Sequence, residues 1–167
     1  MSNKKYVFVG PACSGKTTII NEFVSEKKLK FYDIMEVMQP YLDKYGHVTN
    51  SNKGLLDEVV GKFIDSFAHK SFDVLEFATG EYLPKVLDAL KSFDVVVVYC
   101  KCDRKICDLR MESRERKINK SYLDYQFSFS DKYYSDLEEN YDFSLIVLDT
   151  NNLDNAYFRL KEFISNS

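Results

Sequence analysis

The feature that most constrains the fold is a glycine-bounded loop near the start of the chain. Residues 10–17 read Gly-Pro-Ala-Cys-Ser-Gly-Lys-Thr and fill every fixed position of the pattern G-x-x-x-x-G-K-[ST]. The apolar run 6–9 precedes the loop, and a helical pattern over 18–25 follows it. This succession of strand, loop and helix argues against a chance match in a turn. It predicts a phosphate-binding loop, or P-loop.

The chemistry of the loop explains its spacing. Gly10 and Gly15 allow backbone conformations that direct successive N–H groups inward, and the N-terminus of the next helix adds its positive dipole end. Lys16 is expected to reach the β- and γ-phosphates, and the Thr17 hydroxyl to ligate Mg²⁺. The cofactors predicted here are ATP and Mg²⁺. The residues predicted to bind the nucleotide are Gly10, Pro11, Ala12, Cys13, Ser14, Gly15, Lys16, Thr17 and Thr18.

Length and composition limit the class of protein. The chain has 167 residues, of which 45% are hydrophobic and 15% aromatic, so one domain spanning 1–167 is expected. The net charge of −3 argues against a broad surface for nucleic acid. There is no apolar run of 18 residues, and the N-terminus enters the first strand directly. We therefore expect a cytoplasmic protein that does not bind membranes, while its oligomeric state stays open.

The four cysteines are Cys13, Cys100, Cys102 and Cys107. In a cytosolic chain they are expected to be reduced thiols. The spacing of the last three lacks the paired C-x₂-C arms of common structural zinc sites, which argues against a zinc site.

Apolar runs and helical stripes alternate along the chain. Strands are expected at 6–9, 29–33, 72–77, 95–99 and 143–148. Helices are expected at 16–26, 34–44 (interrupted near Pro40), 55–69, 83–91, from Asp103 onward, and 153–164. The polar and aromatic stretch 115–140 shows only weak periodicity. Five alternations of this kind predict a three-layer α/β fold, a parallel sheet with helices on both faces.

Four residues are expected at the carboxyl ends of the strands, where ligands bind in such folds: Gly10, Asp33, Glu76 and Cys100. Two of them are carboxylates. A buried carboxylate at a strand end is costly unless it binds something, so Glu76 is a candidate site residue, and Asp33 is a second candidate by its position.

The whole layout resembles the nucleoside and nucleotide kinases typified by adenylate kinase. Neither D-x-x-G nor N-K-x-D, the motifs of G proteins, stands in the right place. The polar segments at about 45–54 and 115–140 stand where the lids of these kinases fall. Residues 109–114, Leu-Arg-Met-Glu-Ser-Arg, resemble the R-x-x-x-R that opens the lid. The resemblance implies a five-stranded sheet in the order 2-3-1-4-5 and an ATP- and Mg²⁺-dependent phosphotransferase that acts on a small molecule.

Two positions depart from that family's pattern. Asp33 stands at the aspartate of G-D-x-x-R, and Glu76 at the acidic residue of D-G-x-P-R. In the same registers, the two arginines that grip an acceptor's phosphate are replaced by Glu36 and Gly80. A carboxylate repels a phosphate, so the acceptor is expected to offer a hydroxyl, as a nucleoside does.

The catalytic residues predicted are Lys16, Asp33, Glu76, Arg110 and Arg114. Asp33 would bind the acceptor hydroxyl or accept its proton, or would instead cap the next helix. Glu76 would hold Mg²⁺ through water or serve as the base. Arg110 and Arg114, one turn apart, would clamp the moving phosphoryl group, unless they only form a solvated helix face.

Two other functions stay open at this point. The basic segment 110–120 would suit a polynucleotide 5′-hydroxyl kinase, although the low positive charge argues against it. A regulatory module that binds ATP without turning it over would keep the loop and need no acceptor.

Overall fold

The computed structural model describes residues 3–46, 53–78, 80–114 and 120–166. The strands are β1 (Lys4–Val9), β2 (Phe31–Asp33), β3 (Val74–Phe77), β4 (Asp94–Lys101) and β5 (Ser144–Asp149). The helices are α1 (Lys16–Lys27), α2 (Met35–Tyr45), α3 (Lys53–Asp65), α4 (Leu83–Ala89), α5 (Arg104–Glu112), α6 (Lys120–Phe127), α7 (Asp131–Glu138) and α8 (Leu153–Ser165).

The five strands form one sheet in the order β2-β3-β1-β4-β5, with every neighbouring pair parallel. This confirms the predicted fold class and strand order. β1 lies at the centre, between β3 and β4, and its residues Val7, Phe8 and Val9 are fully buried. A strand with a partner on each side and a helix layer on each face has no polar position to offer, so its sequence is a continuous apolar run.

The alternation of side chains along β1 separates two hydrophobic clusters. Val7 and Val9 join the cluster that packs against α2, α3 and α4, whereas Tyr6 and Phe8 join the cluster beneath α1 and α8. Successive side chains of a strand point to opposite faces, so each face receives its own core. Helices therefore cover both faces of the sheet, as predicted.

Aromatic rings fill the first of these clusters. Phe63 of α3 is fully buried, and its ring centroid lies 5.0 Å from Tyr32, 5.1 Å from Phe67 and 6.3 Å from Phe77. These contacts join α3 to the ends of β2 and β3. The position of the acidic strand ends described below therefore depends on this packing.

The observed secondary structure departs most from the sequence prediction in the polar stretch 115–140. Its described part forms α6 and α7, which the weak periodicity did not predict. Tyr134 of α7 is buried, and its ring lies 4.2 Å from that of Tyr99 on β4. Tyr134 thus packs α7 on the sheet through an aromatic contact, whereas α6 buries Leu123. Residues 115–119 of the stretch lie outside the described residues.

Other elements differ from expectation at their bounds. α2 was expected to break near Pro40, but it runs through this residue because Val37, Met38, Tyr41 and Leu42 hold it against the core on either side. β3 begins at Val74 rather than at residue 72, and α3 ends at Asp65, followed by a 3₁₀ turn over Ser66–Ala68. In the polar segment 45–54, residues 47–52 lie outside the described part of the chain.

None of the helices among the described residues combines the length and the apolar character that crossing a membrane requires.

The packing of α3 gives a stability prediction. Phe63→Ala removes a fully buried ring, and we expect it to lower the free energy of unfolding by about 3–5 kcal/mol. Phe158→Ala, the same change on α8 where the ring is 58% exposed, should change it by no more than about 0.5 kcal/mol. Urea unfolding of both variants measures the difference. Equal losses would contradict the assignment of Phe63 to the core.

Candidate active site

A cavity of about 270 Å³ opens at the carboxyl ends of β1, β2 and β3. The P-loop forms one wall through Ala12, Cys13, Gly15, Lys16 and Thr17. Asp33 and Glu76 line it from the ends of β2 and β3. The remaining wall is apolar and consists mainly of Met35, Met38, Leu42, Leu56, Val60 and Phe77. The structure thus brings the loop and both predicted carboxylates to one cavity.

The glycines of the P-loop are required by its backbone. Gly10 has a φ of +139°, and a Cβ there would lie 2.5 Å from the carbonyl oxygen of Cys100 on β4. Gly15 has a φ of +89°, and a Cβ there would lie 2.4 Å from Leu153. Both backbone conformations favour glycine, and at Gly10 the carbonyl oxygen of Cys100 also leaves no space for a side chain. Between them Cys13 also has a positive φ, 64°, so the loop turns tightly around its interior.

Lys16 places its charge inside the loop. It is the first residue of α1, its side chain is 4% exposed, and Nζ donates to the carbonyl oxygens of Gly10 and Pro11 at 2.8 Å each. A buried ammonium needs acceptors, and the loop carbonyls provide them. The charge is therefore held at the site before any phosphate arrives.

Thr17 and Glu76 form the contact between the loop and β3. Thr17 Oγ1 donates toward the Glu76 carboxylate, 3.0 Å from Oε1 and 3.1 Å from Oε2. A hydroxyl oxygen and a carboxylate side by side are metal ligands of the kind that Mg²⁺ prefers. In phosphate sites Mg²⁺ usually takes only one or two protein ligands. The oxygen atoms of Thr17 and Glu76 therefore fit Mg²⁺ as ligands.

Asp33 lies next to Glu76 because the two residues are paired in the register of β2 and β3. Asp33 Oδ1 also accepts the N–H of Met35, at 2.9 Å, at the start of α2. The two interpretations offered for Asp33, a helix contact and a site residue, are thus compatible. One carboxyl oxygen holds the helix start, and the side chain lines the cavity.

Burial changes the acidity of both carboxyls. Burial raises the pKa of Asp33, and the nearby Glu36 raises it further, while the Met35 N–H and Lys16 oppose the rise. Burial likewise raises the pKa of Glu76, and the charge of Asp33 adds to it, against Lys16, Thr17 and Arg114. In each case desolvation outweighs the neighbouring positive charge.

The two predicted clamp arginines lie in different surroundings. Arg110 of α5 donates to the carbonyl oxygen of Thr150 at 2.8 Å and to those of Cys13 and Asn151 at 3.4 Å, so it ties the P-loop to the loop after β5. Arg114 follows the end of α5, is exposed, and lines the cavity.

Two positions at which the resembled kinases have phosphate-gripping arginines carry no positive charge in this chain. Glu36 is exposed on α2 and pairs with Lys70 at 2.9 Å. Gly80 is buried, and a Cβ there would lie 3.0 Å from the Phe129 ring and 3.2 Å from the Tyr134 hydroxyl. A side chain at position 80 would need the Phe129 ring and the Tyr134 hydroxyl to move by a few tenths of an ångström. Lys85, a possible substitute, is exposed and lies over the Tyr82 ring.

Sequence reasoning missed one polar residue of the site, Gln126 of α6. Its Oε1 accepts the N–H of Ala12, a P-loop residue, at 2.8 Å, and its side chain lines the cavity. A single glutamine in a stretch without clear periodicity carries no signal of this contact. Tyr122, one turn earlier in the same helix, lines the cavity as well.

Three of the cysteines, Cys13, Cys102 and Cys107, are buried together beside the P-loop. A hydrogen bond with Cys107 lowers the pKa of Cys102, and the charge of Arg110 lowers it further. Cys100 lies separately in the sheet core, where burial raises its pKa to about 12. Within the described residues no group of three or more His, Cys, Asp or Glu side chains is arranged to hold a metal ion.

The fold resembles those of solved small-molecule kinases. A sugar kinase from Janibacter sp. HTCC2649 superposes with a TM-score of 0.66 at 18% identity, over 99% of this chain and 95% of that one. Shikimate kinase from Acinetobacter baumannii, in complex with shikimate, gives 0.65 at 17% identity, over 98% and 94%. Deoxyadenosine kinase from M. mycoides, with dCMP and dCDP bound, gives 0.63 at 15% identity, over 96% and 98%.

These likenesses confirm the predicted resemblance to the P-loop small-molecule kinases at the level of the fold. No protein-family model matches the sequence, and no curated protein matches it.

The raised pKa of Glu76 gives a prediction for stability against pH. A raised carboxyl pKa means that the folded state holds its proton more tightly than the unfolded state, so ionisation costs stability once the pH exceeds the ordinary value of 4.5. Glu76→Gln keeps an oxygen for Thr17 and removes the charge. We expect it to raise the melting temperature at pH 8 and to have a smaller effect at pH 4.

Glu22→Gln, the same change at an exposed position of α1, is the control and should show no such pH dependence. A melting temperature that falls at pH 8 on Glu76→Gln would contradict the prediction. It would mean that the ionised carboxylate stabilises the fold.

Proposed function

We propose that the protein is an ATP- and Mg²⁺-dependent kinase that transfers the terminal phosphate to a hydroxyl of a small molecule. The observation that carries this proposal is the contact of the P-loop with Glu76. Thr17 lies within 3.1 Å of both Glu76 oxygens, and Asp33 stands beside Glu76 in the sheet register. Phosphate-holding groups and a pair of carboxylates thus share one cavity.

On the donor side, the loop amides and Lys16 hold the phosphates of the nucleotide. Lys16 exchanges its two loop carbonyls for phosphate oxygens, which are stronger acceptors. Thr17 and Glu76 hold Mg²⁺, which neutralises charge on the phosphates when it is bound. Positioning and charge neutralisation are the main needs of phosphoryl transfer, and these residues meet both.

On the acceptor side, Asp33 is the general base. The acceptor's hydroxyl oxygen forms a bond to the terminal phosphorus as the bond from that phosphorus to the bridging oxygen breaks, and ADP leaves. The hydroxyl proton passes to the Asp33 carboxylate. The raised pKa of Asp33 suits this role, because a more basic carboxylate accepts a proton more readily.

The two arginines have separate roles in this proposal. Arg114 reaches the cavity and clamps the moving phosphoryl group. Arg110 keeps the P-loop in place through the backbone of residues 13, 150 and 151. An arginine that holds three carbonyls at once fixes the wall against which the nucleotide lies.

The lining of the cavity supports a hydroxyl acceptor with an apolar body. Beyond Asp33 and Glu76 the wall formed by α2 and α3 consists of Met38, Leu42, Leu56 and Val60, which favour a weakly polar group. The positions of the two phosphate-gripping arginines hold Glu36 and the crowded Gly80. A nucleoside matches these features better than its monophosphate does.

Removal of the loop lysine tests the mechanism. We expect Lys16→Ala to lower kcat at least about 100-fold, since the variant lacks the charge that stabilises the transferring phosphate. The melting temperature should stay near that of the wild type. Lys27→Ala, an exposed change at the other end of α1, is the control. Unchanged turnover in Lys16→Ala would remove the P-loop from the reaction.

A paired screen tests the acceptor. Each nucleoside is offered beside its own 5′-monophosphate at equal concentration, with ATP and Mg²⁺, and product is measured. We expect the nucleosides to be preferred, because two carboxylates repel a phosphate dianion. Asp33→Asn should abolish the transfer and leave ATP binding intact.

Preference for the monophosphates across the panel would contradict a hydroxyl acceptor. ATP binding without transfer to any acceptor would instead favour a non-catalytic nucleotide-binding module.

A further inference from the structure

Gln126 is a buried polar residue that the proposed mechanism does not yet use. It lies on α6, is 3% exposed, and its Oε1 accepts the Ala12 N–H at 2.8 Å. An N–H needs an acceptor, so this contact determines which end of the amide faces the P-loop. Nε2, with its two N–H donors, is therefore the end that is not committed to Ala12.

Nε2 is buried and has no hydrogen-bond partner among the residues that the structure describes. A buried amide nitrogen without an acceptor is costly, and such groups in native proteins call for an explanation. Gln126 also lines the cavity, together with Lys16, Thr17 and Glu76. A ligand that enters this cavity can supply the missing acceptor.

The position of Gln126 indicates which part of a ligand that is. Gln126 and Ala12 both line the cavity, and the same cavity is lined by Asp33 and Arg114, which are proposed above to act at the terminal phosphate. An ionised phosphate oxygen is a stronger acceptor than a neutral hydroxyl. The carboxylates in the same cavity already accept from Thr17 and from Met35.

We propose that Gln126 recognises the terminal phosphate of the donor nucleotide. Its Oε1 stays on the Ala12 N–H, and its Nε2 donates to an oxygen of the γ-phosphate. The residue thereby distinguishes a nucleoside triphosphate from a diphosphate. This inference rests on the proposed function of the cavity.

Calorimetric titration with Mg-ATP and with Mg-ADP tests the proposal. Gln126→Glu keeps an oxygen for Ala12 and replaces the donor with a carboxylate, whereas Gln126→Met removes both. We expect each variant to bind ATP at least about tenfold more weakly, as the loss of a hydrogen bond to a charged group implies. ADP affinity should change less than about threefold, because ADP lacks the phosphate concerned.

Gln39→Glu is the matched control, since it makes the same charge change at an exposed position of α2 and should leave both affinities unchanged. Gln126→Met keeps the test decisive if the buried carboxylate of Gln126→Glu impairs folding. ATP binding by Gln126→Glu equal to that of the wild type would overturn the inference, because the loop contact alone would then explain the residue.

Equal losses of ATP and ADP affinity would also overturn it, since Gln126 would then only support the loop. If the wild type binds neither nucleotide, the proposed function itself fails, and this inference with it. That result differs from the other two because it appears before any variant is made.

Discussion

The parallel pairing of β1 with β3 is the constraint on which the rest of the site depends. Phe8 pairs with Glu76 and Val9 with Phe77, so the P-loop leaves β1 beside the carboxylate that ends β3. The next strand pairs Asp33 with Glu76 and adds the second carboxylate. Side-chain direction alternates along a strand, so a shift by one residue would turn these carboxylates to the other face. The packing of Phe63 against Tyr32 and Phe77 supports this register.

Opposed charges are then held close together in a cavity that is mostly apolar. The Lys16 ammonium is buried against two loop carbonyls, while burial raises the pKa of both Asp33 and Glu76. Such an arrangement is costly in the absence of a ligand, because each charged group gives up water for few partners. A phosphate and a divalent cation would satisfy these groups together. The fold therefore bears at this site a cost that ligand binding would offset.

Much of the fold could be predicted from the sequence, and part of the site. The P-loop and the apolar run of β4 are local patterns that the sequence shows directly. The strand order was predicted from the resemblance to nucleoside and nucleotide kinases, to which the P-loop pointed. The helices α6 and α7 could not be predicted, because their buried apolar residues, Leu123 and Tyr134, are too few to form an apolar stripe at helical spacing. Gln126 was missed for a related reason. Its contact with Ala12 joins residues 114 positions apart, and no local pattern reports such a pair.

One segment acts on both sides of the proposed reaction. This segment, residues 120–138, comprises α6, α7 and the turn between them. The Phe129 ring of the turn lies over Gly80, and the Tyr133 hydroxyl of α7 donates to the Gly80 carbonyl at 2.7 Å. These contacts crowd the position at which the resembled kinases have an arginine for the acceptor phosphate. The same segment carries Gln126 to the P-loop. A displacement of the whole segment would therefore change the contacts at Gly80 and the contact with Ala12 together. On the proposed function, the choice of acceptor and the recognition of the donor are therefore physically linked.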